Sequence, residues 1–190
     1  MRNPSPDCSL PDTGRQMTTG RKKQNVILCG FMGTGKSSVG RRLAELTGYG
    51  FLDMDAVIES EERMSIPDIF ATRGEPAFRA LESGLVDRIC RMVRQVVATG
   101  GGTVANPENL AKLKRCGTVV ALTADIETIF ARVGSGEGRP MLKQGDTEER
   151  IRTLLQKRAE AYAQADLTID TSQRTIEEVA RRIMTLLQGD

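Results

Sequence analysis

Eight consecutive residues, Gly30-Phe31-Met32-Gly33-Thr34-Gly35-Lys36-Ser37, combine three glycines with a lysine and a hydroxyl. They follow Asn25-Val26-Ile27-Leu28-Cys29, a short apolar run that reads as a buried strand. Ser38-Val39-Gly40-Arg41-Arg42-Leu43-Ala44-Glu45-Leu46 follows with the pattern of a helix. A glycine loop with Lys-Ser between strand and helix is the context of a phosphate-binding P-loop. Its backbone N–H groups, along Gly33, Thr34, Gly35 and Ser38, turn inward around a phosphate, and the helix adds its positive dipole end. Lys36 reaches the β- and γ-phosphates, and the Ser37 hydroxyl ligates Mg²⁺. The loop implies a nucleotide but not what is done with it.

Two other strand ends belong beside that loop, because open parallel sheets bind ligands beyond the carboxyl ends of their strands. Tyr49-Gly50-Phe51-Leu52 runs into Asp53-Met54-Asp55, and Gln95-Val96-Val97-Ala98-Thr99 runs into Gly100-Gly101-Gly102. Residues two apart on an extended segment face one side. Asp53 and Asp55 are therefore expected to point together at the phosphate site, one toward the metal and one toward an acceptor hydroxyl. The third strand ends in glycines rather than an aspartate, so Asp53 is the candidate for the metal's carboxylate.

Three arginines stand out. Arg158 falls on an apolar helical stripe with Ile151, Leu154, Leu155 and Tyr162. A buried, unpaired guanidinium is costly, so Arg158 either snorkels to solvent or faces a carboxylate, such as a substrate's. Arg79, with Glu82 one turn on, reads equally as a surface i,i+3 bridge or as a substrate contact. Arg139 lies in Gly134-Ser135-Gly136-Glu137-Gly138-Arg139-Pro140, a mobile lid or a surface insert by composition. On a lid its charge would close over the γ-phosphate in the transition state.

The elements that position these groups alternate. Strands are expected at 25–29, 49–55, 95–99, 118–122 and 167–170. Helices are expected at 38–47, 56–62, from Ser65, from Glu75 after a break at Gly74, at 107–115, 125–133, 147–163 and 175–187. That order predicts a three-layer α/β/α sandwich on a mainly parallel, five-stranded sheet. Residues 1–24 are polar, lack apolar periodicity and read as a disordered extension; Met17 is a candidate alternative start. Residues 25–190 read as one domain.

Composition narrows the function classes. Of 27 basic and 25 acidic residues, residues 1–24 take five and two, leaving 22 against 23 in the body. A near-neutral body with 4% aromatics offers no basic stripe with stacking rings, so nucleic acid is not an expected partner. No apolar run reaches the ~20 residues a membrane span needs. The chain has no histidine, which removes Ser-His-Asp chemistry and histidine metal ligands. Cys8, Cys29, Cys90 and Cys116 are scattered without a C-x-x-C, which suits a reducing cytoplasm and argues against a disulfide framework.

Together these residues resemble the shikimate kinases. The matching stretches are Gly30–Gly40, Phe51–Asp55, Gly74-Glu75 through Phe78-Arg79 to Glu82, Gly100–Gly102, Arg139-Pro140 and Arg158, in the family's order. The resemblance covers residues 25–187. It implies the P-loop, nucleoside-monophosphate-kinase-like fold, with a substrate-binding segment at about 54–84 and a lid at about 134–146. It implies transfer of the γ-phosphoryl of ATP to the 3-hydroxyl of shikimate, toward the aromatic amino acids. Lys36 and Ser37 then bind phosphate and Mg²⁺, and Asp53 holds the metal through water. Asp55 is the candidate base, Arg79 and Arg158 grip the substrate carboxylate, Gly101 meets the ring and Glu82 orients Arg79. Arg132 and Arg174, the latter in Thr171-Ser172-Gln173-Arg174, flank the adenine, and Arg139 closes with the lid. The resemblance also implies a monomer. The rivals are another polyol-acid kinase, such as gluconate kinase, and a silent nucleotide-binding module. Retention of Lys36, Ser37, Asp55 and Arg139 together argues against the silent module.

Overall fold

A computed structural model describes residues 25–133 and 147–188. The elements are β1 (Asn25–Gly30), α1 (Lys36–Thr47), β2 (Gly50–Asp53), α2 (Met54–Glu62), α3 (Ile66–Ile89), β3 (Gln95–Ala98) and α4 (Pro107–Cys116). They continue as β4 (Gly117–Thr123), α5 (Ile126–Val133), α6 (Thr147–Ala163), β5 (Leu167–Asp170) and α7 (Ile176–Gln188). The five strands lie in the order β2-β3-β1-β4-β5, and every pairing is parallel. β1 is therefore central, and the connections leave it toward opposite edges. The crevice at such a switch point is where ligands bind.

β1 is buried along its whole length, so its alternating side chains feed two cores. Val26 and Leu28 pack with Val39, Leu43, Val179 and Ile183 of α1 and α7. Ile27 and Cys29 face the other way, into a core shared with Met54, Ile69, Leu85, Leu113 and Ile151. Arg42 of α1 pairs with Glu177 of α7 across the first layer.

Local sequence sets the helix ends. Gly48 takes φ 67° and closes α1 by donating to Ala44 O, a left-handed cap. The Ser65 hydroxyl accepts from the Asp68 N–H, with Pro67 in the first turn of α3. Gly74 breaks α3 with φ 78° and ψ 170°, at the position expected from sequence. Thr175 and Glu178 exchange hydrogen bonds at the start of α7 as a capping box. Two boundaries differ. The helix expected from Ala56 begins at Met54, because Asp53 caps it. Met92, at helical spacing from Phe78, Leu81, Leu85 and Ile89, lies past the helix and is exposed. Among the described residues no helix is long and apolar enough to cross a membrane.

Candidate active site

Gly35 caps α1 with φ 88°, so the first N–H groups of that helix open onto the loop between β1 and α1. Thr34 is buried beneath the loop and donates to Phe31 O at 2.8 Å. Lys36 Nζ donates to the same carbonyl at 2.9 Å. Ser37 Oγ donates to Asp53 Oδ2 at 2.6 Å.

Asp53 has a second task. Its Oδ1 accepts from the N–H groups of Asp55 and Ala56, which makes it the N-cap of α2. This corrects the expectation that Asp53 and Asp55 share one face of a strand. Asp55 stands in the first turn of a helix, where two residues differ by about 200°. The carboxylates diverge: Asp53 turns to Ser37, and Asp55 lines a neighbouring cleft. Ser37 and Asp53 together present hard oxygen donors. Mg²⁺ is commonly held by one or two carboxylates with phosphate oxygens and waters, and this donor set fits that pattern.

The cleft has a volume of about 150 Å³. Lys36, Asp55, Glu59, Arg79, Glu82, Gly100–Gly102 and Arg158 line it, with Met32, Ile66, Phe70 and Phe78 as apolar walls. It brings Lys36, three carboxylates and two guanidinium groups into one cleft. Arg79 is fixed from two sides. Glu82, 1% exposed, accepts from Arg79 Nη1 at 2.6 Å and from Thr103 Oγ1 at 2.5 Å, while Glu75 takes the other edge. Burial works against the Arg79 charge, but Glu82 and then Glu75 outweigh it and raise its pKa.

Arg158 is held differently. It is 8% exposed and lies 5.8 Å over the Phe31 ring. Its polar neighbour is Tyr162, and among the described residues no carboxylate lies within ion-pair distance. Tyr162 donates to Gly101 O at 2.6 Å. Burial pushes the Tyr162 phenol up to about 12, against the pull of Arg158, so it remains a donor at neutral pH.

The three glycines follow from these contacts. A Cβ on Gly100 would lie 2.6 Å from Glu82 Oε1 and 2.9 Å from Asp55 Oδ1. One on Gly102 would lie 2.6 Å from Arg79 Nη1. The run is bare because polar side chains from α2 and α3 converge on it.

On the other side of the P-loop, Arg132 donates to Thr171 Oγ1 at 3.1 Å, to Thr171 O at 2.9 Å and to Gly33 O at 3.3 Å. The structure thus joins Arg132 to the segment after β5. Arg174 is exposed and donates to Asp170 O at 2.6 Å. Arg139, the lid and residues 1–24 lie outside the described residues. Sequence reasoning missed Phe31, Thr103 and Tyr162, which touch the site only through another side chain or a carbonyl. Tyr162 was visible as the neighbour of Arg158 on one stripe; Thr103 gave no signal.

A family model described as Shikimate kinase matches residues 32–188. The chain belongs to the shikimate kinase family. A curated shikimate kinase of Geobacter metallireducens is 48% identical over 166 residues, spanning 87% of this chain and 93% of that one. A solved shikimate kinase from Acinetobacter baumannii, in complex with shikimate, superposes with a TM-score of 0.84 at 37% identity. It covers 87% of this chain and 93% of its own. A gluconokinase from Sinorhizobium meliloti, 17% identical, superposes with a TM-score of 0.58 over 88% of this chain and 93% of its own, a likeness of fold alone. The parallel sheet flanked by helices is thus the P-loop fold of the shikimate kinases, and the chain is a phosphotransferase by family.

Proposed function

We propose that this chain transfers the γ-phosphoryl group of ATP to the 3-hydroxyl of shikimate, giving shikimate 3-phosphate and ADP. The observation that carries the reading is Arg158, a buried cation without a carboxylate among the described residues, opening into the cleft that Lys36 and Asp55 also line. A substrate carboxylate there completes its hydrogen bonds, with Arg79 as the second planar donor. Glu82 holds Arg79 in place, and the Gly100–Gly102 backbone lets a ring approach closely. A cleft of about 150 Å³ with apolar walls has room for a compact ring acid.

Gripping the carboxylate at the far end sets the ring hydroxyls against Asp55 and toward Lys36. Positioning of this kind supplies much of the catalysis in phosphoryl transfer, since the transition state asks little covalent help. Asp55 accepts the proton of the attacking hydroxyl. Lys36 leaves Phe31 O for the phosphates, and the N–H groups of Gly33, Thr34, Gly35 and Ser38 cradle them. Ser37 and Asp53 would hold Mg²⁺, and the ion would supply neutralisation of the phosphate charge. Arg132 and Arg174 flank the adenine, and Arg139 arrives with a lid at about 134–146. Residues 25–190 form one kinase domain with its substrate segment at about 54–84. The chain works as a cytoplasmic monomer without nucleic-acid or membrane partners.

The test is ADP release with shikimate, with gluconate and with no acceptor. Turnover with shikimate alone is expected. Turnover with gluconate and none with shikimate overturns the reading, and no turnover with any acceptor supports a silent module.

A further inference from the structure

Cys90 and Cys116, 26 residues apart, meet in space. Cys90 caps the end of α3, and Cys116 is the last residue of α4. Their sulfurs lie 2.6 Å apart, both half-buried. A disulfide needs about 2.05 Å, so a bond asks the sulfurs to close by about half an ångström. Both sit where a helix ends, and their remaining contacts are weak ones, to Lys112 O at 3.4 Å and Leu113 O at 3.5 Å. Both cysteines are free, in line with their spacing along the chain, yet helix packing brings together what the sequence separates.

We propose that Cys90 and Cys116 form a covalent modification site, at which a small-molecule disulfide oxidises the pair to an intramolecular bond between the ends of α3 and α4. The chemistry is two exchanges. One protein thiolate attacks the small disulfide, forming a mixed disulfide and expelling one small thiolate. The second protein thiolate attacks the mixed disulfide at the protein sulfur, closing the Cys90–Cys116 bond and expelling the other. Each small thiolate takes up one of the two protons the cysteines lose, so two electrons pass to the small disulfide. The closed loop encloses β3, Gly100–Gly102, Thr103 and all but the last residue of α4, one wall of the candidate cleft. Exchange is slow at neutral pH, because burial and then the Cys90 neighbour push the Cys116 thiol up to about 12.

The test incubates the full chain with excess oxidised glutathione at pH 8.5. The expected product has lost two hydrogens in mass and two of its four alkylatable thiols, with a Cys90–Cys116 peptide on mapping. Its Tm rises by about 5–10 °C for a closed loop of this length, and dithiothreitol reverses the rise. A variant lacking Cys8 and Cys29 (each to Ser) behaves the same, whereas Cys116→Ser gives no rise. Four thiols surviving the incubation, a stable glutathione adduct on Cys90 or Cys116, or a bond mapped to Cys8 or Cys29 overturns the proposal.

Discussion

Arg158 and Arg79 are both arginines at one cleft, but their energetics differ. Arg79 is neutralised before any ligand arrives, since Glu82 and Glu75 share its guanidinium. Among the described residues Arg158 has the Phe31 face and Tyr162, contacts worth about 0.5–2 kcal/mol for the ring, against several kcal/mol for burying an ion. On the proposed function, Arg158 is a destabilising residue whose compensation comes with the substrate carboxylate. That makes a sharp expectation for Arg158→Met, which keeps the length of the side chain and removes the charge. Its Tm should equal or exceed the parent's, because an uncompensated ion is gone. Its KM for shikimate should rise about 10–100-fold, the loss of charged hydrogen bonds worth 1.5–3 kcal/mol. Its KM for ATP should stay within about twofold. Steady-state kinetics with a melting curve decide it: equal losses for both substrates, or a fall in Tm, count against a carboxylate socket.

At the scale of elements, the acceptor cleft is made where α2, α3, α6 and the loop after β3 meet, and that loop is the tightest joint. Gly102 has φ −109° and ψ −8°, a conformation open to alanine, so a methyl there strains no backbone. It would instead press on Arg79, which Glu82 and Glu75 hold. Gly102→Ala should therefore raise the shikimate KM tenfold or more while leaving Tm within about 2 °C, since about 1.4 kcal/mol suffices for tenfold. A collapse in Tm instead would mean that the glycine serves the fold rather than the arginine. The P-loop and Arg158 were legible in the sequence because each depends on local pattern or helical period, whereas Arg79 was singled out as a substrate contact only by the resemblance. The placement of Asp55 was not, since whether a chain is extended or helical at a strand end turns on one cap, here Asp53. The bareness of Gly100–Gly102 was legible as a loop but not as a reason, because the reason is three side chains from α2 and α3. The Cys90–Cys116 contact needed the packing of two helices, which no spacing along the chain encodes.

The whole molecule hangs on β1, buried on both faces, and this placement governs its response to pH. Cys29 of β1 is fully enclosed in the core shared with α3, α4 and α6. Burial pushes its thiol up from 9.0 to about 12, with Lys36 pulling weakly the other way. Tyr162, in the same core, is pushed from 10.0 to about 12. Both groups are neutral in the fold and more acidic once unfolded, so the folded chain holds more protons at alkaline pH. Stability is then fully present below about pH 9 and falls as pH rises toward 12. From Cys29 alone the loss by pH 11 is about 2–3 kcal/mol. Urea unfolding of the reduced protein should give a flat free energy between pH 7 and 8.5 and a steep fall above it. Cys29→Ala should start lower, by about 1 kcal/mol for the smaller side chain, yet lose about 2 kcal/mol less between pH 8 and 11. The difference in slope is the measurement that matters, because the other titrating groups contribute alike in both proteins and cancel. An unchanged slope would mean that water reaches the sulfur and that the centre of the sheet is looser than its packing implies.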